Sequence, residues 1–258
     1  PRRRPDGVAT RAVVKTAILS DIHSNLEALE RVCERAAALG AQRYICLGDF
    51  IGYGADPGPT LARIMTLPGL IAVRGNHDTA LFRDPGLEVP ADIRQASDWT
   101  RAQLLPAQLE FLAGLPLLHR EARATYVHAS VHEPEQWDYL RMPDQIHACL
   151  AAAGTPIVFI GHVHVPCVFY ETTAGTVREL LPSSGVPISL SPRTRYVINV
   201  GSVGQPRDGN NATGFVFYDE AATTVTFHRL AYHYQASAAK IRAAGLSPFF
   251  ADRLARGH

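Results

Sequence analysis

Aspartate, asparagine and histidine residues are concentrated in five short segments of this 258-residue chain. The segments are Ser20–His23 (SDIH), Gly48–Asp49 (GD), Arg74–Asp78 (RGNHD), His128 and Gly161–His164 (GHVH). Five of the 11 histidines fall within them. Imidazole, carboxylate and amide groups without a thiolate suit Mn, Fe or Zn. The pattern therefore predicts a metal site, and the number of donors is enough for two ions.

The spacing within the segments supports this interpretation. Asp21 and His23 are two residues apart, as are His162 and His164, so on extended backbone each pair points to one side. The two oxygens of a single carboxylate, such as that of Asp49, could bridge two cations. Asn76 would add a neutral oxygen, which limits the negative charge around a site that must also accept an anion.

Each of the five segments follows a short apolar run, and a sixth run lies later in the chain. The runs are Ala12–Leu19, Arg43–Leu47, Leu70–Val73, Ala124–Val127, Pro156–Ile160 and Tyr196–Val200. Most are apolar on consecutive residues, which is typical of strands buried on both faces of a sheet. Ligands gather at the carboxyl ends of strands in open α/β sheets. We therefore expect the polar segments to meet at one edge.

Helical patterns separate the early strands, and further strands follow in the second half. The predicted helices are Asn25–Leu39, Pro59–Leu67, Asp92–Leu105, Pro106–Leu112, Tyr234–Ala244 and Pro248–Ala255, and the later strands are Val165–Tyr170, Thr176–Leu181, Gly214–Asp219 and Thr223–Leu230. The order indicates an α/β (α+β) fold of two packed sheets with helices outside. We expect a single domain over residues 12–258 and a frayed leader over residues 1–11.

Composition excludes several classes of protein. Hydrophobic residues make up 47% and charged residues 19%, as in ordinary globular domains. No apolar run approaches the length of a membrane span. The net charge is +1, with basic residues clustered near both ends, so residues 16–228 are acidic and argue against nucleic acid as a partner. Four cysteines without a CxxC pair predict reduced thiols and a cytoplasmic protein.

The order of the five segments resembles that of the calcineurin-like metallophosphoesterases. Longer stretches are similar to one bacterial branch of small phosphodiesterases: SDIHSNLEALER (20–31), GDFIGYGADP (48–57), NVGSVGQPRDG (199–209) and the ending Lys240–Gly257. The resemblance covers residues 14–257. It implies a four-layer α-β-β-α sandwich, in which two mixed β-sheets pack together with helices outside.

The resemblance also implies a role for each site residue. Two sets of metal ligands share Asp49: Asp21, His23, Asp49 and His164 for the first ion, and Asp49, Asn76, His128 and His162 for the second. The implied mechanism is two-metal hydrolysis, with hydroxide between the ions attacking phosphorus and His77 beside the phosphate assisting. We expect two divalent or mixed-valence ions, with Mn first and Fe, Zn, Ni or Mg as alternatives.

Two departures from related families bear on the substrate. Phosphoprotein phosphatases have an arginine in Gly-Asp-x-x-x-Arg-Gly, and Tyr53 occupies that position here. A phosphate dianion benefits most from an arginine clamp, so its loss favours phosphodiesters. Arg207 in the GQPR loop could supply the missing cation and bind the phosphate beside Tyr53, Asn76 and His77. Asp78 ends the GNHD segment where those phosphatases have a glutamate, and it could either orient His77 or serve the structure.

Several readings of function remain open from the sequence. The favoured one is a phosphodiesterase acting on a small phosphoester or nucleotide. The alternatives are a phosphomonoesterase or protein or nucleotide phosphatase using the same site, a scaffold that has lost catalysis, and a nuclease. A scaffold should lack some ligands, and a nuclease should have a basic groove. Residues 131–145 could form one wall of the pocket or a packed surface loop.

Overall fold

A computed structural model of the chain describes residues 14–83 and 91–258. Twelve strands are present in this part of the chain. They are β1 (Lys15–Leu19), β2 (Arg43–Cys46), β3 (Ile71–Ala72), β4 (Leu118–Arg120), β5 (Ala124–Val127), β6 (Ile157–Ile160), β7 (Cys167–Glu171), β8 (Val177–Leu180), β9 (Pro187–Ser189), β10 (Arg195–Asn199), β11 (Thr213–Asp219) and β12 (Thr224–Leu230).

Eight α-helices accompany the strands in the described residues. They are α1 (Leu26–Ala38), α2 (Pro57–Met65), α3 (Asn76–Ala80), α4 (Ala91–Ala102), α5 (Pro106–Ala113), α6 (Pro143–Ala153), α7 (Tyr234–Ala243) and α8 (Pro248–Arg256). Local signals explain several boundaries: Asn25 caps α1 by accepting from the Ala28 N–H, and proline lies in the first turn of α2, α5, α6 and α8.

The strands form two six-stranded sheets. The order is β3-β2-β1-β11-β12-β9 in the first sheet and β4-β5-β6-β10-β7-β8 in the second. Both sheets are mixed: β1, β2 and β3 run parallel while β11 runs antiparallel to β1, and β5, β6 and β10 run parallel while β7 runs antiparallel to β10. The carboxyl ends of the parallel strands therefore share one edge within each sheet.

The alternation of side chains along buried strands shows how the layers pack. Ile18 of β1 joins Phe159 of β6 in an apolar cluster between the two sheets, whereas its neighbours Ala17 and Leu19 face α1 and α2 on the outer side. In the second sheet, Val158 packs on the outer side against α6. Consecutive apolar residues thus serve two opposite faces, which explains the uninterrupted apolar runs in the sequence.

The predicted fold class is confirmed: two mixed sheets pack together with helices outside. The strand and helix predictions agree with the structure to within a few residues, whereas β4, β9, α3 and α6 were not predicted. The predicted leader at 1–11 lies outside the described residues. Within the described residues, no helix combines the length and apolar character needed to span a membrane.

Candidate metal centre

The predicted metal ligands lie at the carboxyl ends of five strands from both sheets. Asp21 and His23 follow β1, Asp49 follows β2, and Asn76 follows β3 in the first sheet. His128 follows β5, and the pair His162 and His164 follows β6 in the second sheet. The two edges face each other, so residues more than 100 positions apart in sequence form one cluster.

Hydrogen bonds between the two sheets hold these loops together. Asp21 Oδ2 accepts from the His162 N–H at 2.9 Å. The Ser202 hydroxyl, after β10, donates to the Asp21 carbonyl at 2.8 Å. His128 Nδ1 lies 2.8 Å from the Leu47 carbonyl across the sheet interface. The cluster is therefore part of the contact between the sheets and does not depend on a single flexible loop.

Asp49 lies between two groups of possible ligands. One group contains Asp21, His23, Asp49 and His164, the other contains Asp49, His128 and His162, and the ligand atoms of each group lie within 4.8 Å of one another. Asp49 Oδ2 is 3.7 Å from His23 Nε2 and 3.3 Å from His128 Nε2. One carboxylate oxygen thus faces both groups, as a bridging ligand requires.

The hydrogen bonds of the four histidines test whether this cluster suits cations. In each ring one nitrogen lies 2.6–3.0 Å from a main-chain carbonyl, those of Ile51, Leu47, Trp137 and Gln205 for His23, His128, His162 and His164. A carbonyl only accepts, so that nitrogen carries the proton and the other presents a lone pair to the cluster. Histidine ligands of metals are held in this way.

The inner nitrogens then face other acceptors at short range. His23 Nε2 and His164 Nε2 are 3.2 Å apart, and so are His128 Nε2 and His162 Nδ1. Asn76 Oδ1 lies 3.0 Å from His128 Nε2. Asp21 Oδ1, which is fully buried, lacks a hydrogen-bond partner among the described residues. Facing lone pairs at these distances repel unless a cation lies between them, so the residues fit metal ions.

Burial makes these charges costly without a partner. The two aspartates and four histidines are at most 6% exposed. Burial raises the pKa of Asp21. His164 and His128 lower it by a larger amount, so the net pKa falls below its usual value. Burial lowers the pKa of His128 and the Asp49 carboxylate raises it, with a net value of about 9 in the absence of a cation, so a bound cation would displace the proton from the inner nitrogen. Burial and the neighbouring His128 lower the pKa of His162 to about 4.

The backbone at the ligands is strained. Five of the six side chains belong to residues in the left-handed region: Asp21, His23, Asp49, His162 and His164 have φ between 48° and 65°. Residues other than glycine rarely adopt this conformation, which costs about 1–3 kcal/mol at each position and concentrates at functional sites. The sharp turns aim side chains that are close in sequence into one small volume.

Two glycines allow the loops to approach the carboxylates. A Cβ on Gly75 would overlap the Asp49 carboxylate and main-chain nitrogen, and a Cβ on Gly161 would overlap Ser20 and the Asp21 carboxylate. These two glycines therefore leave room for the carboxylates of Asp49 and Asp21 in the neighbouring loops.

His77 lies beside the cluster but makes a different set of contacts. Its main-chain N–H donates to Asp49 Oδ1 at 2.8 Å. Its ring packs edge-on against Tyr53 and His23, with centroids 4.5 Å and 5.0 Å away, and makes no hydrogen bond with a described residue. Burial lowers the pKa of His77. The ring is therefore available to a substrate.

The structure resolves the two alternatives for Asp78. Its carboxylate accepts from the main-chain N–H groups of Asp49, Phe50 and Gly75 at 2.8–3.0 Å. Burial and the Asp49 carboxylate raise the pKa of Asp78 to about 7, while these donors favour the ionised form. Asp78 thus ties the loop after β2 to the start of α3, and it does not orient the His77 ring.

Tyr53 and Arg207 lie together next to the centre. The Tyr53 ring contacts His23 at 4.7 Å between centroids, and Arg207 Cζ is 6.0 Å from the Tyr53 centroid. Arg207 donates through Nη2 to Gln205 Oε1 at 3.1 Å, and its Nε has no partner among the described residues. The loop arginine therefore reaches the region where the sequence lacks the clamp arginine.

Two aromatic residues near the centre were not assigned to it from sequence. The Tyr139 ring stacks on His162 with centroids 4.3 Å apart, and the Trp137 carbonyl accepts from that histidine. Both belong to the 131–145 segment, which thus forms a wall of the site, one of the two possibilities considered above. The carbonyl of Trp137 has no signature in sequence, because any residue could provide it.

Two stacked mixed sheets with a carboxylate–histidine cluster at one edge define a metallophosphoesterase fold. The chain belongs to the calcineurin-like phosphoesterase superfamily, whose domain model matches residues 14–222. A metallophosphoesterase from Sphaerobacter thermophilus is similar in structure, with 36% sequence identity and a TM-score of 0.86 over 95% of this chain and 100% of that one. The predicted resemblance to the calcineurin-like metallophosphoesterases is confirmed.

Two further relatives extend the comparison. An uncharacterized protein of Methanocaldococcus jannaschii is 34% identical over 246 residues, which are 93% of this chain and 97% of that protein. A hypothetical protein from Pyrococcus horikoshii has a TM-score of 0.76 at 19% identity, over 95% of this chain and 99% of that one, and shares the fold. The fold therefore extends beyond the matched domain, through α7 and α8.

Proposed function

We propose that the protein hydrolyses small phosphodiesters with two divalent cations, Mn foremost, bound by the two ligand groups that share Asp49. The position of Asp49 Oδ2, 3.7 Å from His23 Nε2 and 3.3 Å from His128 Nε2, carries this proposal. When bound, such cations polarise the phosphate and lower the pKa of water. Asn76 completes the second group. We also propose that the protein works in the cytoplasm, because its four cysteines are free and buried, as is usual in a reducing compartment.

The side chains around the cluster take part in the proposed hydrolysis. The oxygen of water forms a new bond to phosphorus, and the bond from phosphorus to the leaving oxygen breaks. The protonated ring of His77 transfers one proton to the leaving oxygen, which becomes an alcohol, and the proton that the attacking water releases restores the ring. The bond from the His77 main chain to Asp49 fixes the ring relative to the ligands. The buried carboxylates and histidines are preorganised, so little rearrangement is needed.

Tyr53 supports a preference for phosphodiesters. Its phenol is half-buried and burial raises its pKa, so the group stays neutral, whereas related phosphatases have a positively charged arginine at this position. A diester carries one negative charge and a monoester close to two near neutral pH, because the second phosphate pKa is about 6. A pocket with fewer cations should lose more affinity for the dianion.

The location of Arg207 favours a second candidate, a phosphomonoesterase or nucleotide phosphatase on the same site. Arg207 Cζ lies 6.0 Å from the Tyr53 ring, and its free Nε could donate to a phosphate oxygen. In that case Arg207, in the loop after β10, takes the role of the arginine that related phosphatases have at the position of Tyr53. A scaffold without catalysis is disfavoured, because all seven candidate ligands are present and meet in one place.

The kcat/KM ratio for an aryl phosphodiester and the matching monoester separates the two candidates. With manganese at fixed pH, the diester should be the better substrate, and Tyr53→Arg should shift the ratio toward the monoester. Arg207→Ala should leave the diester preference in place. A wild-type preference for the monoester that Arg207→Ala abolishes would instead establish the phosphatase.

A further inference from the structure

The helix α8 is joined to the loop that carries Arg207. The Gly209 N–H donates to the Gly257 carbonyl at 2.9 Å, and a Cβ on Gly257 would overlap the Asn210 main chain. The same loop contacts the metal centre, because the Arg207 N–H donates to the His164 carbonyl at 3.2 Å. The side chains of α8 are therefore held at a defined place beside the predicted ligands.

Arg253 of α8 lies at the rim of this centre. Phe250, on the same helix, packs on Tyr53 with centroids 5.1 Å apart. Burial and the neighbouring Arg207 lower the pKa of Arg253, whereas Tyr53 and Tyr139 raise it. Such influences fade over about 10 Å, so these three side chains lie close to the Arg253 guanidinium. Each of the two tyrosine rings packs against a histidine of the ligand cluster.

The acidic residues next in sequence to these two arginines are paired elsewhere. Asp208 Oδ1 accepts from Arg229 Nη2 at 3.1 Å, and Asp252 Oδ1 accepts from Arg242 Nη2 at 2.6 Å. In the part of the chain that the structure describes, no aspartate or glutamate forms an ion pair with either arginine of the rim. Two guanidinium groups thus lie at the mouth of the site without an acidic partner.

Both guanidinium groups keep donors for a ligand. Arg207 donates through Nη2 to Gln205, and its buried Nε has no partner among the described residues. Arg253 donates through Nε to the main-chain oxygen of His258, and its two terminal nitrogens bond to no described residue. Neighbouring like charges repel, and a buried donor without a partner costs free energy, so an anion between the two groups would be stabilised. The planar donor fork of arginine matches a phosphate.

Tyr53 connects the two arginines to the reaction. The His77 ring packs against Tyr53 with centroids 4.5 Å apart, and Arg207 Cζ is 6.0 Å from the centroid of the same tyrosine. In the proposed reaction His77 protonates the leaving oxygen. The group attached to that oxygen therefore extends along Tyr53 toward Arg207 and Arg253.

We propose that Arg207 and Arg253 bind a second phosphate of the substrate, which is carried by the leaving group and is distinct from the phosphate that is hydrolysed. The phosphate that is hydrolysed is assigned to the ligand cluster with His77, and the Tyr53 ring lies between these residues and α8. The inference rests on the proposed hydrolysis. It narrows the substrates to phosphodiesters whose leaving alcohol bears another phosphate group.

Arg253→Gln tests this subsite, and Arg256→Gln is the control, because Arg256 is exposed on the same helix. The substrates are two methyl phosphodiesters of para-substituted phenols, one with an ethyl group and one with a phosphonomethyl group. We expect Arg253→Gln to lower kcat/KM about tenfold or more for the phosphonate ester and less than about twofold for the ethyl ester, because only the former loses a charged hydrogen bond. Arg256→Gln should change neither. If Arg253→Gln has the Tm of the wild type, an equal effect on both esters would overturn the subsite.

Arginine labelling of the metal-loaded wild type gives a second measurement, which needs neither turnover nor substitution. Phenylglyoxal modifies accessible guanidinium groups, and peptide mass spectrometry gives the rate at each arginine. The phenol with the phosphonomethyl group should slow the labelling of Arg253 and leave that of Arg256 unchanged. An unchanged rate at Arg253 would refute the subsite even if both esters are hydrolysed. If the phenol protects Arg253 but neither ester is hydrolysed, the proposed hydrolysis fails and the anion subsite stands.

Discussion

The main-chain N–H of His77 donates to Asp49 Oδ1 at 2.8 Å, while Asp49 Oδ2 faces the inner nitrogens of His23 and His128. One carboxylate therefore aligns the ligand cluster with the residue proposed to act on the leaving oxygen. The distance between His77 and the cluster is set by the backbone and by this hydrogen bond, so substitution of the His77 side chain should leave it intact.

Asp49→Asn should release metal with little effect on folding. The amide keeps Oδ1 as the acceptor for His77 but loses the negative charge that two cations would share. We expect at least one equivalent of metal to be lost and activity to fall by more than about 100-fold, because even the loss of a group that only hydrogen-bonds to a ligand costs about 10–100-fold. The Tm of the metal-free protein should stay within about 4 °C, or ~1 kcal/mol.

Metal content measured by mass spectrometry and Tm measured by calorimetry check this expectation. Asp138→Asn is a suitable control, since Asp138 is an exposed carboxylate in the segment that forms a wall of the site. Full metal content in Asp49→Asn would contradict the bridging role.

Substitution of His77 should separate it from the metal ligands. His77→Ala should retain both ions and slow the chemical step by about 10²–10⁴-fold, the range for an acid–base residue. His164→Ala should lose metal, because its Nε2 lies 3.0 Å from Asp21 Oδ1 inside the first ligand group. Titration of metal binding and single-turnover rates distinguish the two variants. A metal site emptied by His77→Ala would show that we have exchanged the two roles.

Gly75→Ala should weaken metal binding although every ligand is retained. The φ of Gly75 is −98°, which alanine adopts readily, so the effect of the methyl group is steric. That group would overlap the Asp49 carboxylate and move it from the cluster. We expect metal affinity to fall by about 10–100-fold, as for a lost supporting contact.

Gly114→Ala is the control for this substitution, because its nearest neighbour would be the Glu110 carbonyl at 3.4 Å. Calorimetric titration with manganese measures both variants. An unchanged affinity of Gly75→Ala for manganese would contradict this expectation. It would mean that the loops of Gly75 and Asp49 can move apart at little cost.

Asp78→Asn should destabilise the fold. The carboxylate accepts three main-chain N–H groups, and an amide would turn a donor toward one of them. The expected loss in the free energy of unfolding is about 2–3 kcal/mol by urea denaturation. Asp219→Asn is matched, since Asp219 also accepts from two main-chain N–H groups but at an exposed turn, and should cost less than about 0.5 kcal/mol. If Asp78→Asn were as stable as the wild type but had a reduced kcat, the result would contradict the structural role and support a role for Asp78 in orienting His77.

The sequence predicted the strands and their polar ends because the apolar runs and the residues after them carry independent signals. The run before His162 is apolar on consecutive residues since Val158 and Phe159 face opposite layers, and this pattern is visible without a structure. Asp21 and His23 could likewise be assigned to one edge from the strand that precedes them.

Other features depend on contacts distant in sequence and could not be predicted. The carbonyl of Trp137 orients His162, and the stacking of Tyr139 on the same ring requires the path of the 131–145 segment. Phe250 of α8 packs on Tyr53 with centroids 5.1 Å apart across almost 200 residues. The sequence predicted a helix over residues 248–255 but not what this helix contacts.

The left-handed backbone at Asp21, His23, Asp49, His162 and His164 has a consequence for selection. Glycine relieves such strain, so a library screened only for thermal resistance without metal should enrich glycine at these positions. The same changes remove ligands, so heat tolerance and turnover would be optimised by opposite substitutions. A laboratory lineage selected for robustness alone would therefore drift toward a folded but inert phosphoesterase.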